Sequence, residues 1–191
     1  MTSLIEPSSA TGRLRPDDVP QFRHAQLLLL LTEANKLSVT LDLHRLGVTD
    51  FAASHPLLIL QPSDITYRRL RLAGFTDHPL SNAAPGQRYA TRRERLVEDL
   101  SRLISLGLAR MGTANARRVF LVTDSGSAIA EQLTSVYADA YRSSAQLMLA
   151  RIARLNDTAL QRELSDWLRA DPVMFDLLGV DAELTLFGKP K

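Results

Sequence analysis

Apolar positions recur at helical spacing along most of this chain, broken by one short alternating stretch. Residues 22–35, FRHAQLLLLLTEAN, hold strong helix formers and no breaker, so their nearly continuous apolar run predicts a helix buried on most sides. A second helical pattern covers 42–54, with Leu43, Leu46 and Phe51 among its apolar positions. Thr40 or Asp42 can cap its start, Pro56 stops it, and Gly47 is its weak point. Pro62 opens a third helical segment that includes Tyr67 to Leu72 and ends near Gly74. The Pro-, Asn- and Gly-bearing stretch 76–86 reads as a loop.

From Thr91 onward, Leu96, Val97, Leu100, Leu103 and Ile104 give one apolar helix face, and Gly107 stands where a left-handed cap wants glycine. Leu108–Met111, a turn through Gly112 to Ala116, and Arg117–Val122 predict a hairpin. Thr123-Asp124-Ser125-Gly126 then caps another helix. This order matches the second half of a winged helix, in which the helix before the hairpin can enter a DNA groove. The plainer alternative is an α+β domain whose hairpin merely covers a helical core.

Ser127 to about Leu155 reads as one long helix, with a stripe of Ile129, Leu133, Tyr137, Ala140, Ser144, Leu147 or Met148, and Ile152. Such a stripe packs on the first helix or is offered to another chain. Asn156-Asp157-Thr158 breaks the pattern, Thr158 with Asp157 caps a helix over 159–169, and Asp171-Pro172 ends it. The fold class expected is mostly α with a small β-hairpin (α+β), a winged-helix domain with a C-terminal helical extension. Its parts are a flexible arm over 1–20, the winged-helix domain over 21–126, C-terminal helices over 127–170 and an apolar tail over 171–191.

Composition narrows the chemistry. The 191 residues contain no cysteine, which removes disulfides, thiolate zinc sites and thiol nucleophiles together. No apolar run approaches the roughly 20 residues that span a bilayer, and the N-terminal stretch has no signal-peptide core, so a soluble cytoplasmic protein is expected. His24, His44, His55 and His78 are never at metal-ligand spacing, and Asp124-Ser125-Gly126-Ser127 lacks the leading glycine of a nucleophile elbow. No phosphate-binding loop occurs. No catalytic, metal or cofactor residues are therefore assigned, and a non-enzyme is expected.

Net charge is only +2, but between Gln61 and Arg118 arginines outnumber acids by six, so the middle of the chain is basic. Candidate DNA-phosphate contacts are Arg92 and Arg93 at the helix start, Arg110, Arg117 and Arg118 on the hairpin, and Arg68, Arg69 and Arg71 before the loop. The helix face itself looks self-neutralised, because Arg95–Asp99 and Glu98–Arg102 are i,i+4 pairs. The tail clusters Phe175, Leu177, Leu178, Leu186 and Phe187, a candidate partner-binding set, with docking back on the chain as the rival.

Three segments carry a family resemblance. Leu41 to Leu46 with Asp50 to Pro56, the run Arg92 to Leu108, and Thr123 to Gly126 followed by Leu133 to Tyr137 resemble the small middle component of ABC-three-component systems, over roughly residues 22–155. Those components are encoded beside an SMC- or Rad50-like ATPase and an effector, often a nuclease, and Lamassu anti-phage defence complexes are one such group. The resemblance implies an adaptor subunit seated on a coiled-coil ATPase, with no catalytic residue to carry over. Separately, because the arginines are diffuse rather than a groove-reading set, any contact with double-stranded DNA is expected to be weak, sequence-tolerant and salt-dependent. The alternative is a winged-helix transcription regulator, dimeric through the helix expected at Ser127–Leu155.

Overall fold

A computed structural model describes residues 18–75 and 84–169. The first helix, α1 (Pro20–Lys36), has proline in its first turn, where a missing N–H costs nothing. Its five consecutive leucines, Leu27–Leu31, are each no more than 3% exposed. Full burial of a leucine contributes about 1.5–3 kcal/mol, so α1 is the axis on which the rest assembles. Helices α2 (Leu43–Ser54), α4 (Pro85–Ser105), α5 (Asp124–Gln132) and α6 (Val136–Ile152) all pack against it. The short α3 (Ile65–Leu72) packs chiefly on a 3-10 turn at Pro56–Leu58, and α7 (Asp157–Leu168) lies against α4.

Asp42 caps α2 by accepting from the Arg45 N–H at 2.8 Å, as its position suggested. Gly47 lets α2 meet α4 closely: a Cβ there would stand 3.2 Å from Leu96 Cδ2. Helix α4 begins at Pro85, six residues before Thr91, because proline and glycine open the helix where the sequence pattern reads loop.

The hairpin is present, but its turn is shorter than expected. Strands β1 (Ala109–Ala114) and β2 (Arg117–Val122) pair antiparallel, with Ala114 opposite Arg117. Only Asn115 and Ala116 lie between them, both with positive φ (50° and 61°). That is the primed two-residue turn whose twist suits a tight hairpin, and it carries β1 through Gly112 and Thr113. Gly107 is left-handed as expected, with φ 69°. On the far edge of β2 the Phe120 N–H donates to the Leu41 carbonyl at 3.0 Å, forming one isolated antiparallel bridge.

The single long helix expected from Ser127 to Leu155 is two helices. The backbone turns at Leu133 to Ser135, where the Ser135 hydroxyl accepts from the Ala138 N–H at 3.1 Å and starts α6. Arg142 reaches back to the Ala130 and Leu133 carbonyls at 2.7 and 2.8 Å, satisfying the end of α5. The stripe from Tyr137 to Ile152 packs inside the chain on α1 and α2, whereas Ile129 is exposed. Asn156, not Asp157 with Thr158, caps α7. The architecture among the described residues is thus mostly helical, seven α-helices with one two-stranded antiparallel hairpin.

Candidate functional site

The eight arginines singled out from sequence do not form one patch. Arg92 is buried. Its guanidinium grips both oxygens of Asp50, with Nη2 at 2.9 Å from Oδ1, and also donates to Gln26 Oε1 at 2.7 Å. Arg92 is therefore a core ion-pair residue joining α4, α2 and α1, and the expectation that it faces DNA is corrected. Arg93, one residue on, is exposed. In the hairpin Arg110 and Arg117 share one face and Arg118 takes the other, because side chains alternate along each strand. Arg68, Arg69 and Arg71 are exposed on α3, while Tyr67 and Leu70 turn inward.

The exposed side of α4 carries Arg93, Glu94, Val97, Glu98, Ser101 and Arg102. That face carries two bases and two acids, though not the set of residues paired at i,i+4 in the sequence. One of the pairs behind it is different, however. Asp99 does not meet Arg95 in solvent; it is buried, held by Arg23 at 2.7 and 2.9 Å, with His24 Nε2 3.1 Å away. Arg95 instead meets Asp18 at 3.2 Å.

Sequence reasoning missed this buried polar layer of Arg23, Gln26, Asp50, Arg92 and Asp99. The available signal was α1 itself: a helix buried on most sides must also bury Arg23, Gln26 and Glu33, and buried polar groups need partners. Gln26 Nε2 donates to the Tyr137 hydroxyl at 2.7 Å, and Glu33 is held by Lys36 and Gln146 at 2.8 and 2.6 Å. Beside the layer, burial first and the Asp50 carboxylate second push the Tyr141 hydroxyl well above the usual tyrosine range.

A second cluster sits at the base of the hairpin. There β2, the start of α2 and the α6–α7 corner enclose an open groove of about 670 Å³. Arg117 Nη1 lies 3.1 Å from Asp42 and Nη2 2.9 Å from Asp157. Arg45 binds Asp157 at 2.8 Å from the other side, and also caps the end of α6 through the Ile152 and Leu155 carbonyls. The quartet ties the hairpin to both helices. Arg117 thus pairs with two carboxylates while its side chain stays more than half exposed.

The hydrogen bond from Arg117, then that from Arg45, holds the Asp157 carboxyl below the usual aspartate range. Asp157 in turn is the main cause of the raised Arg117 pKa, with Asp42 next. A carboxyl lowered on folding contributes stability above its unfolded pKa and loses it as pH falls through the folded value. The hairpin base should therefore hold at neutral pH and loosen only in acid. In an acid titration of Asp157 followed by NMR, Arg117→Gln is expected to move the carboxyl transition to higher pH. An unmoved transition would break the proposed coupling.

Phe175, Leu177, Leu178, Leu186 and Phe187 lie outside the described residues, as do residues 1–17 of the N-terminal arm. Among the described residues no helix is long and apolar enough to cross a membrane. A family model described as the ABC-three component (ABC-3C) system Middle Component 2 matches residues 25–170, more than half of the 191-residue chain. No curated protein and no solved structure matches.

Proposed function

The chain belongs to the Middle Component 2 family of ABC-three-component systems, and from that premise we propose that it is a non-catalytic winged-helix adaptor. In this reading it links an SMC- or Rad50-like coiled-coil ATPase, DNA and an effector subunit in an anti-phage defence complex of the Lamassu type. The family match over 25–170 carries the reading, since a middle component implies other components to bind.

The fold supports it in two ways. The order α1, the extended Leu41 bridged to β2, α2, α4 and then the hairpin is one that a winged helix would use, which favours the reading. The exposed face of α4 mixes charges, and Arg92 and Arg117 are committed to carboxylates, which suits a subunit that touches DNA lightly. A dimeric regulator has less support. The helix that would join two copies is split, and its Tyr137–Ile152 stripe is used inside the chain.

Co-expression with the other two components is the direct test. The expected result is a stable complex containing all three chains. If ATPase and effector assemble without this chain while it purifies alone, the adaptor reading fails. Pull-down by the full chain and by a chain ending at Ala170 then tests the partner-binding role proposed for Phe175, Leu177, Leu178, Leu186 and Phe187; capture that survives truncation undiminished removes it.

DNA binding gives a second expected outcome. Affinity for several unrelated duplexes should be similar and should fall steeply with salt, as phosphate contacts do. A strong preference for one sequence that persists at moderate salt would restore the regulator.

A further inference from the structure

The outer face of α3 combines apolar surface with positive charge. Ile65, Arg68, Arg69 and Leu72 stand at i, i+3, i+4 and i+7, so they form one stripe along the helix. All four are exposed, and Leu72, at 90%, is the most exposed large apolar side chain among the described residues, with Ile65 at 72%. Tyr67 and Leu70, on the opposite side, are buried. A single exposed leucine needs no explanation. Two large aliphatics on one stripe, with a guanidinium on either side, do.

The stripe stands on a fixed platform. Asp64 caps the start of α3 by accepting from the Thr66 N–H at 3.4 Å. At its end the Phe75 N–H donates to the Leu70 carbonyl and the Gly74 N–H to the Arg71 carbonyl, each at 3.1 Å, around a left-handed Gly74 with φ 103°. Tyr67, Leu70 and Phe75 anchor the helix by their burial, so the outward residues keep their positions.

Its charge is not spent inside the fold. Arg68 and Arg69 make no hydrogen bond or ion pair among the described residues, unlike Arg92 and Arg117, whereas Arg71 has a partner of its own and is not counted. Asp64 is the one acid in residues 61–75, and its carboxylate serves the cap.

Three kinds of surface attract arginine, and the aliphatics choose among them. Nucleic-acid phosphates bond to donors, and Ile65 and Leu72 would be desolvated against them for nothing. Membrane binding grows with the apolar area inserted, and two aliphatics on an eight-residue helix offer little. A second helix fits both features. Ile65 and Leu72, seven residues apart, repeat one heptad position, and flanking charges at such a seam pair with opposite charges across it.

We propose that the outer face of α3 is a docking site for an acidic amphipathic helix of a partner protein. The partner's apolar stripe covers Ile65 and Leu72, and its flanking carboxylates pair with Arg68 and Arg69. This face is separate from the residues at 175–187 to which the adaptor reading gives partner binding, and it holds whether or not that reading does.

Methyl NMR of the full-length chain, titrated with a synthetic helical peptide of roughly 20 residues, tests it. The peptide carries leucine at every third and fourth position with glutamate beside the leucines. The Ile65 and Leu72 methyl signals should shift and saturate. Arg68→Gln and Arg69→Gln should each weaken binding roughly two- to fivefold, and Leu72→Ser about tenfold or more. All three changes lie on an exposed face, so thermal melting should stay near that of the parent. A peptide with lysine for glutamate should fail to bind the parent chain and should bind the double variant Arg68→Glu with Arg69→Glu. Equal binding of both peptides by the parent overturns the proposal, as do shifts confined to other methyls or no saturation at millimolar peptide. It is also overturned if a DNA duplex or phosphatidylglycerol vesicles move these methyls and the acidic peptide does not. Contacts from the Leu72 methyls to residues 76–83 in the free chain would mean that the chain covers this face itself, and the proposal would be wrong.

Discussion

Arg92→Ala is expected to lower folding stability by about 3–5 kcal/mol, because removing one partner of a buried ion pair leaves the other uncompensated. Asp50 would be left almost fully buried at 2% exposure, with the weak Tyr141 hydroxyl contact at 3.4 Å in place of a guanidinium. Gln26 would lose a donor to its Oε1 as well. For a chain of this size each kcal/mol moves Tm by about 2–4 °C, so thermal unfolding should shift down by on the order of 10 °C. The neighbouring Arg93→Ala, at an exposed position, should stay within about 0.5 kcal/mol of the parent. Had Arg92 been a phosphate contact, the pattern would invert, with unchanged melting and weakened DNA binding. An Arg92→Ala protein that melts like the parent would therefore refute its place in the core.

Gly126→Ala should also destabilise, against its local propensity. Within a helix, alanine is ordinarily better than glycine by about 0.8–1.0 kcal/mol, and Gly126 lies in α5. A Cβ at 126, however, would stand 2.0 Å from the Leu108 carbonyl oxygen and 2.9 Å from Val122 Cγ2. That carbonyl is backbone, and it already accepts the Thr123 N–H at 3.1 Å, so it cannot yield without opening the hairpin. Overpacking of this kind costs about 1–3 kcal/mol and sometimes more; a net loss of about 3 kcal/mol in urea denaturation is expected. Gly112→Ala is the informative contrast. Its Cβ would meet the Leu121 side chain at 3.0 Å, which can rotate away, so the loss should be smaller. Equal stability of Gly126→Ala and the parent would mean that α5 does not approach the hairpin this closely.

Both predictions concern the seam between local and long-range order, and that seam is where sequence reading stopped. The helix starts at Asp42 and Thr123 were legible because capping is local: Asp42 accepts from Arg45, and Thr123 accepts from the Gly126 N–H at 3.1 Å. The hairpin was legible for a similar reason, although its turn was placed too early. Gly112 suggested the bend, yet Asn115 and Ala116 make it, because strand pairing through Met111–Phe120 and Thr113–Arg118 extends β1 to Ala114. The break between α5 and α6 was not legible. Leu133-Thr134-Ser135 contains neither glycine nor proline, and what stabilises the corner is Arg142, which folds back from the next helix.

The sequence by itself determined most of the helices and the hairpin, the burial of the five leucines of α1, and the family likeness carried by residues spread over α2, α4 and the α5–α6 region. Apolar period, caps and stops all act within a few residues, so they can be read without knowing what lies opposite. Only the tertiary structure decided which charges belong to the surface. Asp99 had a sequence partner four residues away in Arg95, but in the fold it binds Arg23, 76 residues distant. Arg92 and Arg93 are neighbours in sequence; one is locked to Asp50 inside the molecule and the other meets solvent. A charged side chain on a helix cannot know from its own segment whether another helix will cover it. Once covered, it must take a partner at bonding distance or give up the burial.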